Sequence, residues 1–272
     1  MALGPFALQI DPMTPIALTI AGSDPSGGAG LQADLKTFHQ HQVYGASAVT
    51  LLTVQNTTKV SRVAVMDPAL VVEQITAVTE DLPVRAAKTG ALGSAPVVRA
   101  VARAAATFDF PLVVDPVMIS KQGATLLDDD ARAALDPLFA SATLITPNAP
   151  EAAALTGCPV DTLQQARVAA EALAKRGCSV LLKGGHLREG DAIDILLHEG
   201  VLHELAAERI DTPHTHGTGC TYAAAITARL SRGEELVAAV KGAKEWLSRA
   251  IAGAPGIGHG QGPVNHLTPL EG

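Results

Sequence analysis

The sequence predicts an α/β fold with a mostly parallel central sheet flanked by helices. Short apolar runs of strand length alternate along the chain with longer, alanine-rich segments that have a helical period. The short runs are apolar almost throughout, which is typical of parallel strands buried on both faces. This alternation favours an open, doubly wound sheet over a closed barrel. Because no linker or change in composition divides the chain, we predict a single domain over residues 15–272.

The first half of the chain contains four predicted strands and three predicted helices. The helix that begins at Pro68 has proline in its first turn, where the missing N–H group costs nothing. The strands are predicted at 16–21, 46–54, 84–90 and 112–115, and the helices at 31–41, 68–78 and 95–105.

The second half continues the same alternation. Acidic residues begin the helix predicted at 128–139, as the helix dipole favours. Two further helices each end at a glycine, which is a common residue at a helix C-terminus. The remaining strands are predicted at 142–148, 179–185 and 193–198, and the remaining helices at 150–157, 163–177 and 221–230.

Composition excludes several classes of protein. A net charge of −7 and only 3% aromatic residues argue against nucleic-acid binding, which needs basic surface and stacking platforms. No apolar run approaches the roughly 20 residues that span a bilayer, so no membrane association is expected. Residues 1–14 contain no Lys or Arg and are predicted to be a flexible extension rather than a signal peptide. The three cysteines have no C-x-x-C spacing, which favours a reducing cytoplasm without a disulfide framework or a zinc site.

Polar residues and glycines collect where the predicted parallel strands end. Ligands of such sheets bind at the carboxyl ends of the strands, so these residues are candidates for a site. They are Gly22, Ser23 and Asp24 after the first strand, Gln55 and Asn56 after the second, and Asp115, Asn148 and Lys183 after later ones.

The stretch HTHGTGC, residues 214–220, places two glycines and a cysteine directly before a predicted helix. Free N–H groups and the positive end of the helix dipole meet there, and glycine lets a ligand approach the backbone. Such a turn suits a phosphate. A cysteine in the first turn is expected to have a lowered pKa, which favours its thiolate.

A second glycine cluster, AGSDPSGGAG at residues 21–30, follows the first predicted strand. Its GAGLQA segment fits the dinucleotide pattern, but the next strand ends without the acidic residue that a dehydrogenase needs. It is not a Walker loop either, because Gly28 and Ala29 replace the required Lys and Ser/Thr. The cluster therefore indicates close backbone approach to a ligand without either common phosphate motif.

Several single residues are candidates for chemistry. Asp115 and Glu151 could hold Mg²⁺ together with substrate phosphates, although Glu151 also suits the first turn of a helix. Lys183 interrupts an apolar strand and needs a partner, for which a phosphate would serve. His214 and His216 have no third ligand nearby and are not expected to bind metal. Cys158 and Cys178, beside glycines at helix ends, are interpreted as packing residues.

Taken together, these stretches resemble the hydroxymethylpyrimidine/phosphomethylpyrimidine kinase family of thiamine biosynthesis, within the ribokinase-like small-molecule kinases. The resemblance runs in order from about Ile16 to His266. The segments that carry it are AGSDPSGGAGLQADLKTF, VQNT, KTGALG, VVDPVM, ITPNAPEAAALTG, LLKGGH, THGTGC and GPVNH.

The resemblance implies a fold, a reaction and a set of site residues. The fold is a three-layer ribokinase-like domain that assembles as a homodimer. The reaction moves the γ-phosphoryl group of MgATP onto a hydroxymethyl group and then onto the resulting monophosphate. The resemblance implies an anion hole at Gly217, Thr218 and Gly219, with Cys220 as the base. The residues that it implies for Mg²⁺ and phosphates are Asp115, Asn148, Glu151, Lys183 and Thr215. The pyrimidine contacts that it implies are Gly22, Ala29, Asp34 and Gln55.

One departure from the family pattern bears on specificity. Ala91 stands where the family often has methionine, which implies a roomier substrate pocket. A pyridoxal kinase of the same superfamily is therefore the nearest alternative, although the amide of Gln55 favours an aminopyrimidine. A non-catalytic vitamin sensor is the alternative from another class. It would not need the full set of candidate residues, which are Asp115, Asn148, Glu151, Lys183 and Cys220.

Overall fold

The computed structural model describes residues 14–118, 129–186 and 191–270. The strands of these residues form one nine-stranded sheet in the order β3-β2-β1-β4-β5-β6-β7-β8-β9. Six neighbouring strands pair in parallel: β2, β1, β4, β5, β6 and β7. At one edge β3 pairs antiparallel with β2, and at the other β8 pairs antiparallel with both β7 and β9. The strands are β1 Ile16–Ser23, β2 Tyr44–Gln55, β3 Val60–Val65, β4 Ala86–Thr89, β5 Leu112–Val114, β6 Leu144–Ile145, β7 Ser179–Leu182, β8 Asp194–His198 and β9 Val201–Leu205.

Helices cover both faces of the sheet, so the predicted α/β class with a mostly parallel sheet is confirmed. Along β5, Leu112 and Val114 pack into one core cluster and Val113 into the other, because successive side chains point to opposite faces. The helices α2, α3, α5, α6 and α7 complete the first cluster, while α1, α8 and α9 lie on the opposite face. The helices are α1 Gly30–Gln40, α2 Pro68–Asp81, α3 Ala95–Ala105, α4 Asp129–Ala133, α5 Asp136–Ala140, α6 Ala149–Thr156, α7 Leu163–Ala174, α8 Thr218–Ser231 and α9 Leu236–Ala252.

Local sequence explains where several helices begin and end. The carboxylate of Asp67 accepts hydrogen bonds from the first N–H groups of α2, directly before Pro68. Reciprocal capping boxes begin α6 and α7. Gly157 ends α6 in the left-handed conformation, with φ of 72°, which few residues other than glycine adopt.

The structure differs from the sequence prediction in four elements. The helix predicted at 128–139 is two short helices over its described part, because the ring of Pro137 would crowd the carbonyl of Ala133 in a continuous helix. The sequence analysis also missed β3, β9 and α9. The β8–β9 hairpin turns at Glu199 and Gly200, both with positive φ.

Two sequence predictions concern the N-terminal extension and the membrane. Residues 1–13 of the predicted extension, like Asp128, lie outside the described residues. None of the described helices has the length and apolar character that crossing a membrane requires.

Candidate active site

A cavity of about 970 Å³ opens at the carboxyl edge of the parallel strands. The predicted convergence of strand-end residues is confirmed for seven of the eight. Asn56 is the exception, because its side-chain oxygen accepts hydrogen bonds within the β2–β3 turn, from the N–H groups of Thr58 and Lys59. The seven that line the cavity are Gly22, Ser23, Asp24, Gln55, Asp115, Asn148 and Lys183.

The glycine turn before α8 forms part of the cavity wall. Gly217 has φ of +75°, and a Cβ placed on it would lie 1.8 Å from the carbonyl oxygen of Gly28, so only glycine fits. Thr218 begins α8 and donates both its N–H and its hydroxyl back to the carbonyl of Thr215, at 3.3 and 2.8 Å. The next N–H groups belong to the first helical turn and have no carbonyl of their own helix to bond. The turn therefore has the backbone geometry of an anion site.

An Asp–His pair joins the two glycine loops. The Asp24 carboxylate accepts from His216 Nε2 at 2.8 Å, from the Ser26 hydroxyl at 2.7 Å and from the N–H group of Ala29 at 2.9 Å. Burial by itself raises the pKa of the Asp24 carboxyl, but the hydrogen bonds from His216 and Ser26 outweigh it and the net shift is downward. Sequence reasoning did not assign this pair, although both residues lie in the motifs that it singled out.

Lys183 and Asp115 lie next to the glycine turn. Lys183 Nζ donates to Asp115 Oδ1 at 2.8 Å, and the hydroxyl of Thr146 donates to the same oxygen at 3.1 Å. A Cβ placed on Gly219 would lie 3.3 Å from Lys183 Nζ. Burial disfavours the Lys183 ammonium, but Asp115 and Glu151 raise its pKa above the ordinary value, so it remains charged. The structure thus brings a cation next to the predicted anion hole.

Asn148 and Glu151 form the capping box of α6. The side chain of Asn148 accepts from the N–H group of Glu151 at 2.9 Å, and Glu151 Oε2 accepts from the N–H group of Asn148 at 2.8 Å. Burial raises the pKa of Glu151 to about 7; Lys183 lowers it and Asp115 raises it. Glu151 therefore has the structural role that the sequence left open, and it also adds a second carboxylate to the Lys183–Asp115 pair.

Cys220 lies in the first turn of α8, on the cavity wall. The expectation that the helix start lowers its pKa is wrong, because burial raises the pKa of the thiol to about 12. The Lys88 ammonium and the N–H group of Gly30 act in the opposite direction, while Asp34 and Asp115 disfavour a further negative charge. Cys220 is therefore a neutral thiol in this structure.

The predicted pyrimidine contacts do not all reach the cavity. Gly22, Ala29, Gln55 and Ala91 line it, and Gln55 Nε2 lies 3.2 Å from His216 Nε2. Asp34 does not line it, since its carboxylate is completely buried and ion-paired to a buried lysine, Lys88. This corrects the expected direct contact between Asp34 and a pyrimidine, because the Asp34 carboxylate lies outside the lining of the cavity.

The remaining candidates do not line the cavity. His214 Nδ1 accepts a hydrogen bond from the N–H group of Gly262 at 3.2 Å. Cys178 is buried in the first core cluster, as predicted, but Cys158 is exposed and does not pack, because it follows the turn at Gly157. Among the residues that the structure describes, no group of three or more His, Cys, Asp or Glu side chains could hold a metal ion by itself.

The chain is similar to two proteins over more than nine-tenths of its length. It is 46% identical over 260 residues to the hydroxymethylpyrimidine/phosphomethylpyrimidine kinase of Synechococcus elongatus, covering 94% of this chain and 98% of that protein. It is also 46% identical over 257 residues to the thiamine biosynthesis bifunctional protein ThiED of Geobacter sulfurreducens, where the match covers 93% of this chain but only 52% of the longer protein.

Solved structures of two kinases have a similar fold. An ADP complex of Bacillus subtilis pyridoxal kinase superposes with a TM-score of 0.87 at 36% identity, covering 94% of this chain and 98% of that one. A phosphomethylpyrimidine kinase from Clostridium difficile gives 0.77 at 40% identity, covering 87% and 99%. These neighbours confirm the ribokinase-like fold. Because the phosphomethylpyrimidine kinase family model also matches residues 24–265, the chain belongs to the phosphomethylpyrimidine kinase family.

Proposed function

We propose that the protein transfers the γ-phosphoryl group of ATP to 4-amino-5-hydroxymethyl-2-methylpyrimidine, and then phosphorylates the monophosphate to the diphosphate. The observation that carries the proposal is the glycine turn of α8, which lies in one cavity between Lys183 and Asp115 on one side and Gln55 on the other. Phosphoryl transfer depends mainly on positioning and on stabilising charge on the transferring group. This cavity brings together residues suited to both tasks.

The alcohol side is formed by Gly22, Ala29, Gln55 and Ala91. Both loops that carry the glycines are held by the Asp24–His216 pair, so the backbone here is fixed before a ligand binds. The amide of Gln55 has donor and acceptor groups that match the ring nitrogens and the amino group of an aminopyrimidine.

The phosphate side is formed by Lys183, Thr215 and the start of α8. The Lys183 ammonium and the free N–H groups of the first helical turn would bind the transferring phosphoryl group and stabilise its developing charge. Leu247, Ser248 and Ile251 of α9 also line the cavity, and we propose that they contact the remainder of ATP.

Mg²⁺ fits the chemistry of these donors. Asp115 and Glu151 put two carboxylates beside the one ammonium of Lys183, and burial together with Asp115 raises the pKa of Glu151. A divalent cation would offset that excess of negative charge, and it prefers a few carboxylates together with substrate phosphates. When bound, it would neutralise phosphate charge during transfer.

The proposal is tested by measuring ADP release from ATP with each candidate alcohol as acceptor. We expect kcat/KM for the hydroxymethylpyrimidine to exceed that for pyridoxal by at least about tenfold, a difference of about 1.4 kcal/mol in transition-state binding. A pyridoxal preference of that size would overturn the substrate assignment, and ATP hydrolysis that no alcohol stimulates would overturn the kinase assignment.

Pyridoxal phosphorylation is the second candidate function, and two observations favour it. Ala91 borders the cavity and would leave space for a larger ring. The Bacillus subtilis pyridoxal kinase shares 36% of the sequence. Ala91→Met would fill that space, so we expect this change to reduce turnover of pyridoxal more than turnover of the hydroxymethylpyrimidine.

Two further parts of the proposal concern assembly and location. Six of the ten exposed large hydrophobic side chains among the described residues lie on β2, β3 and the first turn of α2: Tyr44, Leu52, Val54, Val63, Val65 and Leu70. We propose that this edge is the homodimer interface, because β3 leaves unpaired backbone groups beside them. Val54→Asp together with Val63→Asp should yield monomers in sedimentation analysis. The cysteines are all free, which fits a reducing cytoplasm.

A further inference from the structure

The imidazole of His216 lies where the two glycine loops meet Gln55. It is buried, with 2% of the residue exposed. A Cβ placed on Gly28 would lie 2.6 Å from His216 Cδ2, so the ring is packed directly against the backbone of the first glycine loop. The N–H group of His216 donates to the carbonyl of Gly262 at 3.1 Å, which fixes the backbone as well. The ring therefore has little freedom to turn.

The surroundings of the two ring nitrogens determine which of them carries a proton. Nε2 lies 2.8 Å from Asp24 Oδ2, and an ionised carboxylate can only accept. The N–H groups of Ser26 and Ala29 also donate to this carboxylate, both at 2.9 Å, which favours its charged form. Nδ1 is buried without a hydrogen-bond partner among the described residues, so a proton there would be an unsatisfied donor. Nε2 is therefore the nitrogen that donates.

This assignment determines the orientation of the Gln55 amide. Gln55 Nε2 lies 3.2 Å from His216 Nε2, and two donors do not bond each other. A half-turn of the amide puts Oε1 in that place without moving the rest of the side chain, and Oε1 can accept from His216. The NH₂ group then lies on the other side of the amide. Gln55 lines the cavity and makes no other side-chain hydrogen bond within the described residues, so this NH₂ group is available to a ligand.

We propose that His216, held in place by Asp24, is a positioning residue that turns the amide of Gln55 so that its NH₂ group donates to a ring nitrogen of the substrate. This inference deepens the proposed kinase function and rests on it. It narrows the match between Gln55 and the pyrimidine to the ring nitrogens, because the amide oxygen is bonded to His216. The site thus selects a ring that offers an unprotonated nitrogen at the edge facing Gln55.

The orientation of the amide is tested by a change that removes its donor and keeps its shape. Gln55→Glu retains an oxygen that can accept from His216 but has no NH₂ group. We expect the Kd of hydroxymethylpyrimidine, measured by calorimetry, to rise by about tenfold or more, which corresponds to about 1.4 kcal/mol. If the amide oxygen instead met the amino group of the substrate, the variant would keep that acceptor. An unchanged or lower Kd in the folded variant would therefore overturn the proposal.

The role of His216 is tested by changing the protein and the ligand together. The probes are hydroxymethylpyrimidine and the two pyridine analogues in which one or the other ring nitrogen is replaced by C–H. We expect wild type to bind one analogue about tenfold more weakly than the pyrimidine, because the NH₂ group of Gln55 is then left unpaired. His216→Leu removes the donor that orients the amide, so this penalty should fall to about threefold or less. An equal loss of affinity for all three ligands would mean that His216 is only structural.

Two further variants make this comparison specific. His216→Gln keeps a donor near the position of Nε2 and should restore most of the tenfold penalty. His41→Leu is the matched control, because His41 is also buried and hydrogen-bonded, with Nδ1 2.9 Å from the carbonyl oxygen of Thr37, but does not line the cavity. Its penalty should equal that of wild type. If His216→Leu does not fold, a penalty in His216→Gln as small as that expected for His216→Leu would overturn the proposal.

A measurement without substrate separates this inference from the proposed function. A nitrogen NMR spectrum of the ligand-free protein with isotope-labelled histidine, with the His216 signals assigned by their loss in His216→Gln, shows which ring nitrogen carries a proton. We expect a proton on Nε2 and none on Nδ1, and an unprotonated Nε2 would overturn the proposal. If the wild type neither binds nor phosphorylates hydroxymethylpyrimidine, the proposed function fails, whereas this spectrum still decides whether His216 can orient Gln55 as described.

Discussion

Two lysine–aspartate pairs near the active site have almost the same geometry but different surroundings. Lys88 and Asp34 are 2.8 Å apart and completely buried, whereas Lys183 and Asp115 are 2.8 Å apart with 13% of the Lys183 side chain exposed. Each ammonium lies about 3.3 Å from the place where a neighbouring glycine would carry a Cβ. The difference lies in access: Lys183 lines the cavity and can meet a ligand, whereas Lys88 is sealed from it.

The two pairs also differ in their charge balance. Lys88 is paired with Asp34 and Lys183 with Asp115; Asp115 also raises the pKa of Lys88, and Glu151 raises that of Lys183. The open pair is therefore short of positive charge and suited to a divalent cation with a phosphate. The sealed pair matches one ammonium with one carboxylate and has no access to the cavity.

Removing the open cation should have the largest effect. We expect Lys183→Met to lower kcat for both phosphorylation steps by about 10²–10³-fold, the usual effect of removing one transition-state donor. Binding of the hydroxymethylpyrimidine should be unchanged by calorimetry, since Lys183 lies on the phosphate side. Lys175→Met, at an exposed position on the C-terminal end of α7, is the control and should leave kcat unchanged. A variant that lost pyrimidine affinity but kept its kcat would reverse the assignment of the two sides.

The second prediction separates the charge of Glu151 from its capping role. Glu151→Gln keeps an oxygen that can accept the N–H group of Asn148, so the fold should be retained while the carboxylate charge is lost. We expect the Mg²⁺ concentration for half-maximal turnover to rise by about tenfold, equivalent to about 1.4 kcal/mol of binding. The same requirement in variant and wild type would leave Glu151 with the capping role alone.

The third and smallest effect is on stability. Because burial raises the pKa of Glu151 from 4.5 to about 7, the folded chain holds this proton more tightly than the unfolded chain does. The stabilising contribution is complete below about pH 4.5 and is lost as the pH rises to about 7. Urea unfolding of the protein without ligands, at several pH values, should show this decline in wild type. The decline should be weaker in Glu151→Gln, and an identical pH dependence would contradict the shift.

Much of the fold could be predicted because local signals agree with it. Apolar runs, alanine-rich helical periods, Pro68 and Gly157 each placed an element near its observed position. The missed strands carry weak local signals: β3 has no buried residue, and β9 is a short edge strand whose apolar and polar residues do not alternate. Their pairing depends on neighbouring strands rather than on their own sequence.

The site was predictable where one short segment makes it and less so where distant segments meet. The glycine turn and seven of the eight strand-end residues were placed correctly at the cavity, because the carboxyl ends of parallel strands share one edge. The pKa of Cys220 was not predicted correctly. The helix start suggested a lowered pKa, whereas burial by the whole fold raises it. Lys88 interrupts an apolar strand just as Lys183 does, so the signal that identified one was present for the other.

We propose that transfer occurs at the glycine turn, with the phosphoryl group held on the Lys183 side and with Cys220 as the candidate base for the hydroxyl proton. Phosphorylation of the alcohol requires loss of a proton, whereas the monophosphate is mostly dianionic at neutral pH, since its second pKa is near 6. Cys220→Ala should therefore affect only the step that needs a base.

The most direct measurement is the rate of each step, with the alcohol and the monophosphate supplied separately to wild type and Cys220→Ala. Cys158→Ala, at an exposed cysteine outside the cavity, serves as the control and should match wild type in both steps. The account predicts a loss of about 10²–10⁴-fold for the alcohol, the usual contribution of a general base, and little change for the monophosphate. Equal losses for the two acceptors, or no loss for either, would contradict it.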